Sequence, residues 1–268
     1  MNNILRIVKY LGGAILGIVL MFVLPGMIVP LFKIQDAFIM EIVYVLVINV
    51  ILTAIIIAFG QKDVFKFSLK SFKSTFVVGG VMTAFTVYYL ITNMYKSIRD
   101  YGTPTTDGRF IVLCLVFLAV GAGIREELLT RGFLMTFIQK AFGNSKASYI
   151  VAMAVSSIFF GLLHTSNLKG VTDPTPIYAQ IIYAIGVGFF LAAVYLRTKN
   201  LWGNMVLHFL FDLGLMVYPY IYQGRSDLDV LIAEWLGSNI ILKSIIITVV
   251  SVLIGLFLIR GSKFKEAE

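Results

Sequence analysis

Cysteine is nearly absent from this sequence. Its single copy, Cys114, sits inside an apolar run and has no second thiol in the chain, so an internal disulfide is excluded and cysteine usage carries no information about redox compartment. Charge is scarce as well. Only 13% of the 268 residues are Asp, Glu, Lys or Arg, and 59% are apolar. A soluble domain has about a quarter charged. That balance excludes an ordinary soluble domain and indicates an all-α, polytopic membrane protein. The net charge of +8 does not point to nucleic acid, because the basic residues fall in short loops between apolar runs rather than on one face. No repeat, low-complexity tract or second domain interrupts the chain, so residues 1–268 read as a single integral membrane domain. The first apolar run follows Arg6 and Lys9 without a small-residue cleavage pattern behind it, and it is expected to remain as a first span.

At about 20 apolar residues per crossing, eight spans are expected, over residues 11–32, 39–59, 76–95, 110–138, 148–164, 177–196, 201–218 and 240–259. With the N-terminus in the cytoplasm, the inner segments hold Arg6, Lys9, the lysines at 62, 66, 70 and 73, Lys140, Lys146, Arg197, Lys199, Arg260, Lys263 and Lys265. These thirteen compare with seven outside, namely Lys33, Lys96, Arg99, Arg109, Lys169, Arg225 and Lys243. The bias places both termini in the cytoplasm of a multi-pass cell-membrane protein, and eight spans satisfy that parity. The basic stretch "KDVFKFSLKSFK" also has the pattern of an amphipathic helix lying on the inner surface.

Against this background, "GIREELLTRGFL" places four ionisable residues in an oily run. On a helix, Glu127 and Arg131 are four apart in the order that favours an ion pair, whereas Glu126 points about 100° away from Glu127. The arginine neutralises one carboxylate. The other is left poorly solvated beside a like charge, the setting in which a glutamate becomes a usable general base. The two histidines of the chain occupy comparable places. His164 closes "FFGLLHTSN", four residues after Phe160, and "NMVLHFLFDLG" sets His208 and Asp212 four apart on one face. At ~1.5 Å per residue, Glu126 lies roughly 21 Å from Lys140, His164 about 27 Å from Lys146 and Asp212 about 20 Å from Lys199. These depths permit the groups to meet inside the membrane among the fourth, fifth and seventh spans. Each has a bland alternative: a structural ion pair for Glu127 and Arg131, a capping histidine for His164, a one-turn hydrogen bond for His208 and Asp212, packing for Phe160. Repeating the intramembrane penalty in three separate spans calls for a common reason. Glu41, at the edge of the second span, reads as interfacial.

Three motifs then carry a resemblance. "EELLTR" resembles EExxxR, "FGLLH" resembles FxxxH, and "HFLFD" resembles HxxxN/D, in that order on successive charged spans. The chain is similar over about residues 105–218 to the CAAX protease and bacteriocin-processing (CPBP, Abi-like) family, which includes the type II CAAX prenyl endopeptidases. The resemblance implies a glutamate-dependent intramembrane endopeptidase needing no cofactor. It casts Glu126 as general base, His164 as its partner in holding the attacking water, Glu127 and Arg131 as orienting groups, and His208 with Asp212 as the oxyanion site. It further implies a peptide or membrane-protein substrate, lipidated or bacteriocin-like, and a role in bacteriocin processing or self-immunity. Asp212 departs from the asparagine of the best-studied CAAX enzymes, since an ionised carboxylate accepts hydrogen bonds and cannot donate to an oxyanion. Either Asp212 is kept protonated, or it holds His208 in its donating form. Three other readings stay open: a zinc protease with Glu126, His164 and His208 as ligands, although the HExxH helix is absent; a proton-coupled transporter; and a non-enzymatic immunity protein. Short loops and Lys/Ile/Phe/Asn-rich usage point to a bacterial plasma membrane.

Overall fold

The computed structural model describes residues 3–225 and 227–260, and among them the chain is entirely helical. Lys263 and Lys265, counted in the topology above, lie outside the described residues. Ten helices follow in order: α1 Asn3–Phe32, α2 Ala37–Ala58, α3 Leu69–Val78, α4 Gly80–Tyr101, α5 Gly108–Phe142, α6 Lys146–Leu168, α7 Thr175–Thr198, α8 Leu201–Tyr222, α9 Leu228–Leu236 and α10 Ile240–Ile259. Seven of them are long and apolar enough to cross a membrane, and the pair α3 and α4, bent by 80° at Gly79, makes an eighth candidate. The eight expected spans each find a helix.

Polar residues start these helices where the chain turns. The Asp36 carboxylate accepts from the Phe38 and Ile39 N–H groups at α2, Asp107 accepts from Phe110 at α5, and Ser145 accepts from Ser148 at α6. Asn200 accepts from Gly203 at α8. Each supplies an acceptor to N–H groups that have no partner within the helix.

The basic stretch after α2 forms a 3₁₀ turn over Lys62–Phe65 and then α3, which carries Lys70 and Lys73 outward and buries Thr75. The linker before the last span is not all loop. It contains α9, nine residues seated through Ile232 and Leu236 against Ile177 and Ala179 of α7.

α7 is the central helix. Its most apolar stretch is 67% buried, against 11% for α10, whose Leu253 and Phe257 point outward to where lipid lies. α7 packs against α6 and α10, and α8 packs against α4 and α5, so α5, α6, α7 and α8 enclose the middle of the bundle. Side chains tie helices across it: Asn93 donates to the Gly214 carbonyl at 2.7 Å, Thr248 to Ile182 at 2.6 Å and Asn49 to Val120 at 3.1 Å. In a medium without water such bonds serve groups that would otherwise be stranded.

Candidate active site

The helix that bears both glutamates is unusual in its winding. α5 begins as an α-helix over Gly108–Phe117 and then widens to π-helical winding over Leu118–Glu126 and again over Leu128–Met135, with Glu127 at the joint. Wide turns of this kind are rare and concentrate at functional sites. Side-chain donors engage its carbonyls: Asn49 reaches Val120, Thr130 reaches Glu126 at 2.5 Å, and Thr136 reaches Arg131 at 2.9 Å. Gly123 lets α5 approach α8, since a Cβ there would sit 3.0 Å from the Met205 carbonyl oxygen and from the Phe209 Cβ. That approach sets the two glutamates against His208.

Glu127 is the buried hub. Its side chain has 0% exposure, and those of Arg131 and His208 have 1% and 5%. Arg131 Nη1 donates to Glu127 Oε1 at 2.7 Å and to Thr130 Oγ1 at 2.8 Å, while Nη2 donates to the Gly188 carbonyl at 2.7 Å. Gly188 allows this because α7 runs close to α6 there, a Cβ falling 3.0 Å from Phe160 Cδ1. His208 Nδ1 lies 2.9 Å from Glu127 Oε1, and an ionised carboxylate accepts, so Nδ1 carries the proton. Asn204 Nδ2 donates to Glu127 Oε2 at 3.3 Å and to the Leu191 carbonyl at 2.8 Å. The ion pair is therefore dry yet supplied with hydrogen bonds, the condition under which a buried pair persists.

The other side of the cluster is less enclosed. Glu126 keeps 14% of its side chain exposed and Asp212 25%, and Arg125 Nη2 donates to Glu126 Oε1 at 3.1 Å. His208 Nε2 points between these carboxylates, 3.9 Å from Glu126 Oε2 and 3.7 Å from Asp212 Oδ2. Both distances exceed a direct hydrogen bond and suit a small molecule shared between the groups. The carboxylate that engages His208 directly is thus Glu127, where the sequence had left that task open to Asp212.

His164 stands where α6 tightens into the 3₁₀ turn His164–Leu168. Its Nδ1 is 3.0 Å from the Phe160 carbonyl, which only accepts, so Nδ1 holds the proton and the neutral ring keeps its lone pair on Nε2. His164 makes no hydrogen bond to the cluster among the described residues. It joins it through Phe160, whose ring contacts His164 at 5.2 Å and His208 at 5.7 Å edge to face, with the Arg131 guanidinium 5.1 Å from its centroid.

The structure thus gathers Glu126, Glu127, Arg131, His208 and Asp212, with His164 one ring away. Asn204 was not anticipated. It stands one turn before His208 on the same helix face, a spacing that is only a weak signal for a neutral side chain in an apolar run. Phe160, read as packing, does pack, but against three of the site's polar side chains. No group of three or more His, Cys, Asp or Glu side chains among the described residues is placed to hold a metal ion. Glu41 is exposed.

Residues 108–214 match the family model described as type II CAAX prenyl endopeptidase Rce1-like. This segment is an Rce1-like domain. It runs from the first residue of α5 to the middle of α8 and contains all six residues singled out from the motifs. The match over this segment points to a protease, a hydrolase of peptide bonds. No curated protein and no solved structure matches the chain. In the Rce1-like domain the polar cluster sits at the meeting of α5, α6, α7 and α8, while α1, α2, α3, α4, α9 and α10 lie outside the match.

Proposed function

We propose that the chain is an intramembrane endopeptidase in which Glu126 activates a water molecule. The observation that carries this reading is the contrast between neighbours. Glu127 is sealed in a fully buried ion pair with Arg131, whereas Glu126 meets only the partly exposed Arg125 at one oxygen, keeps 14% of its side chain exposed and has His208 Nε2 3.9 Å from its other oxygen. A general base must reach its proton and must not be consumed by a structural partner. In the proposed reaction Glu126 takes a proton from water as the oxygen attacks the scissile carbonyl. The same proton then passes to the amide nitrogen as the C–N bond breaks. His164 Nε2 accepts a hydrogen bond from the water's other O–H, which keeps its proton, and fixes the direction of attack. The tetrahedral oxyanion is met by His208 Nε2–H. Because Nδ1–H is committed to Glu127, this donation uses the doubly protonated ring, for which Glu126, Glu127 and Asp212 supply counter-charge. Asp212 then needs no proton of its own, and acts on His208 electrostatically. Glu127, Arg131 and Asn204 are positioning residues.

The finer assignments belong to the same proposal. Both termini lie in the cytoplasm, the end of the bundle that collects most lysines and arginines. The substrate is a peptide or membrane-protein segment, lipidated or bacteriocin-like, and cleavage serves bacteriocin processing or self-immunity. Peptidomes of membranes carrying the wild-type chain and Glu126→Gln test this. A recurrent product present only with wild type supports it, whereas identical peptidomes contradict it. Immunity that persists in Glu126→Ala and His164→Ala would mark a binding protein instead.

A further inference from the structure

Away from the carboxylate cluster, a cavity of about 420 Å³ opens at the end of the bundle where α2, α5 and α7 finish and α6 begins. Its wall includes Lys140 from the last turn of α5, Tyr149 from α6, and Tyr195 and Lys199 from the end of α7. Lys199 takes a left-handed backbone conformation (φ 51°), which lets its N–H cap α7 at the Tyr195 carbonyl. Its ammonium sits 5.3 Å from the centroid of the Tyr149 ring.

Lys140 and Lys199 are a like-charge pair. Although Lys199 presents surface at the cavity mouth, its ammonium is crowded by protein, and that desolvation with the charge of Lys140 pushes its pKa down to about 8. Neither lysine has a carboxylate partner among the described residues. The carboxylate at the cavity, Asp63, is bridged to Lys66 at 3.1 Å on the exposed rim. The neutral amide nearby, Gln139, already donates to the Gly143 carbonyl and to Asn144. Two cations held together without an internal anion are complementary to an external one. A group with several acceptor oxygens suits two ammonium donors, and at the edge of a bilayer headgroups supply such oxygens.

We propose that this cavity is a phosphate-binding site in which Lys140 and Lys199 together hold the phosphate group of a lipid headgroup or of a soluble phosphate. The site is separate from the carboxylate cluster and does not depend on the reaction assigned there. It shares α5 with it, since Thr136 lines the cavity and donates to the Arg131 carbonyl.

The test is a titration of the full chain in uncharged detergent, following the thermal midpoint. The probes are short-chain phosphatidylglycerol, inorganic phosphate, and phosphatidylcholine of the same chain length. A saturable rise is expected with phosphatidylglycerol that exceeds the rise with phosphatidylcholine. An equal response to inorganic phosphate assigns the site to phosphate alone, and no response to it assigns the site to a lipid headgroup. Lys140→Gln and Lys199→Gln should each weaken the apparent affinity roughly tenfold, as loss of a charged hydrogen bond does. Lys70→Gln with Lys73→Gln removes two positive charges outside the cavity, one more than either single variant, and should leave the affinity unchanged. Unaltered affinity in both single variants, an equal loss in the Lys70 and Lys73 variant, or no saturable response from wild type would overturn the proposal.

Discussion

His208 Nδ1 stands 2.9 Å from Glu127 Oε1, and this contact joins α8 to α5 inside the bundle. It divides the histidine into two ends, one fixed by a buried carboxylate and one turned towards Glu126 and Asp212. The structural and reactive halves of the site meet in that ring.

The structural half is tested at Arg131. Removing the guanidinium strands Glu127 and leaves the Gly188 carbonyl without its donor. Arg131→Ala is expected to destabilise the protein by about 3–5 kcal/mol and to lower activity with it. Thermal or denaturant unfolding in detergent measures the first. A variant with wild-type stability and turnover would remove the positioning role.

Asn204 offers a finer test. Asn204→Ala leaves Glu127 Oε2 and the Leu191 carbonyl short of a donor, at a cost of about 1–3 kcal/mol. Asn204→Asp should cost more, because it adds a second carboxylate beside a fully buried one. Comparison of the two unfolding midpoints decides it, and equal midpoints would argue against a hydrogen bond from Asn204 to Glu127.

His164 belongs to the reactive half. It is partly exposed, and the hydrogen bond it makes among the described residues is to a carbonyl of its own helix. His164→Ala is therefore expected to fold normally and to lose about 10²-fold in turnover, the scale on which a misplaced reactant slows a reaction. Unchanged turnover, measured on a product identified from the membrane peptidome, would exclude His164 from the chemistry.

The membrane edge carries a pH dependence. The Ile39 N–H and the Arg109 guanidinium, 2.5 Å away, hold the Asp36 carboxyl below its ordinary value of 3.8. A depressed carboxylate contributes stability above its unfolded pKa and loses it as pH falls through the folded one. Asp36→Asn should therefore narrow the difference in unfolding midpoint between neutral and strongly acidic pH. An identical pH profile for both chains would contradict this.

The spans were legible because runs of about 20 apolar residues have one use in a chain with so little charge. The site residues stood out for the same reason: Glu126, Glu127, Arg131, His164, His208 and Asp212 are ionisable groups in oily surroundings. What escaped had weaker signals. Asn204 is neutral and lies in an apolar run, so its value appears only when Glu127 is seen beside it. The π-helical winding of α5 changes no residue type and leaves the hydrophobic pattern intact. α9 is too short to resemble a span, and its burial against α7 is a tertiary fact. The bend at Gly79 follows two adjacent glycines, which mark a break without specifying its angle.

The central claim, that Glu126 is the base, is tested most directly by single-turnover hydrolysis of a peptide product-precursor by the reconstituted chain, wild type beside Glu126→Gln. The amide keeps the shape and the Arg125 and His208 surroundings while losing the base. The account predicts an unfolding midpoint close to wild type and a rate lower by at least about 10²-fold. A folded Glu126→Gln protein that hydrolyses the peptide at the wild-type rate would contradict it.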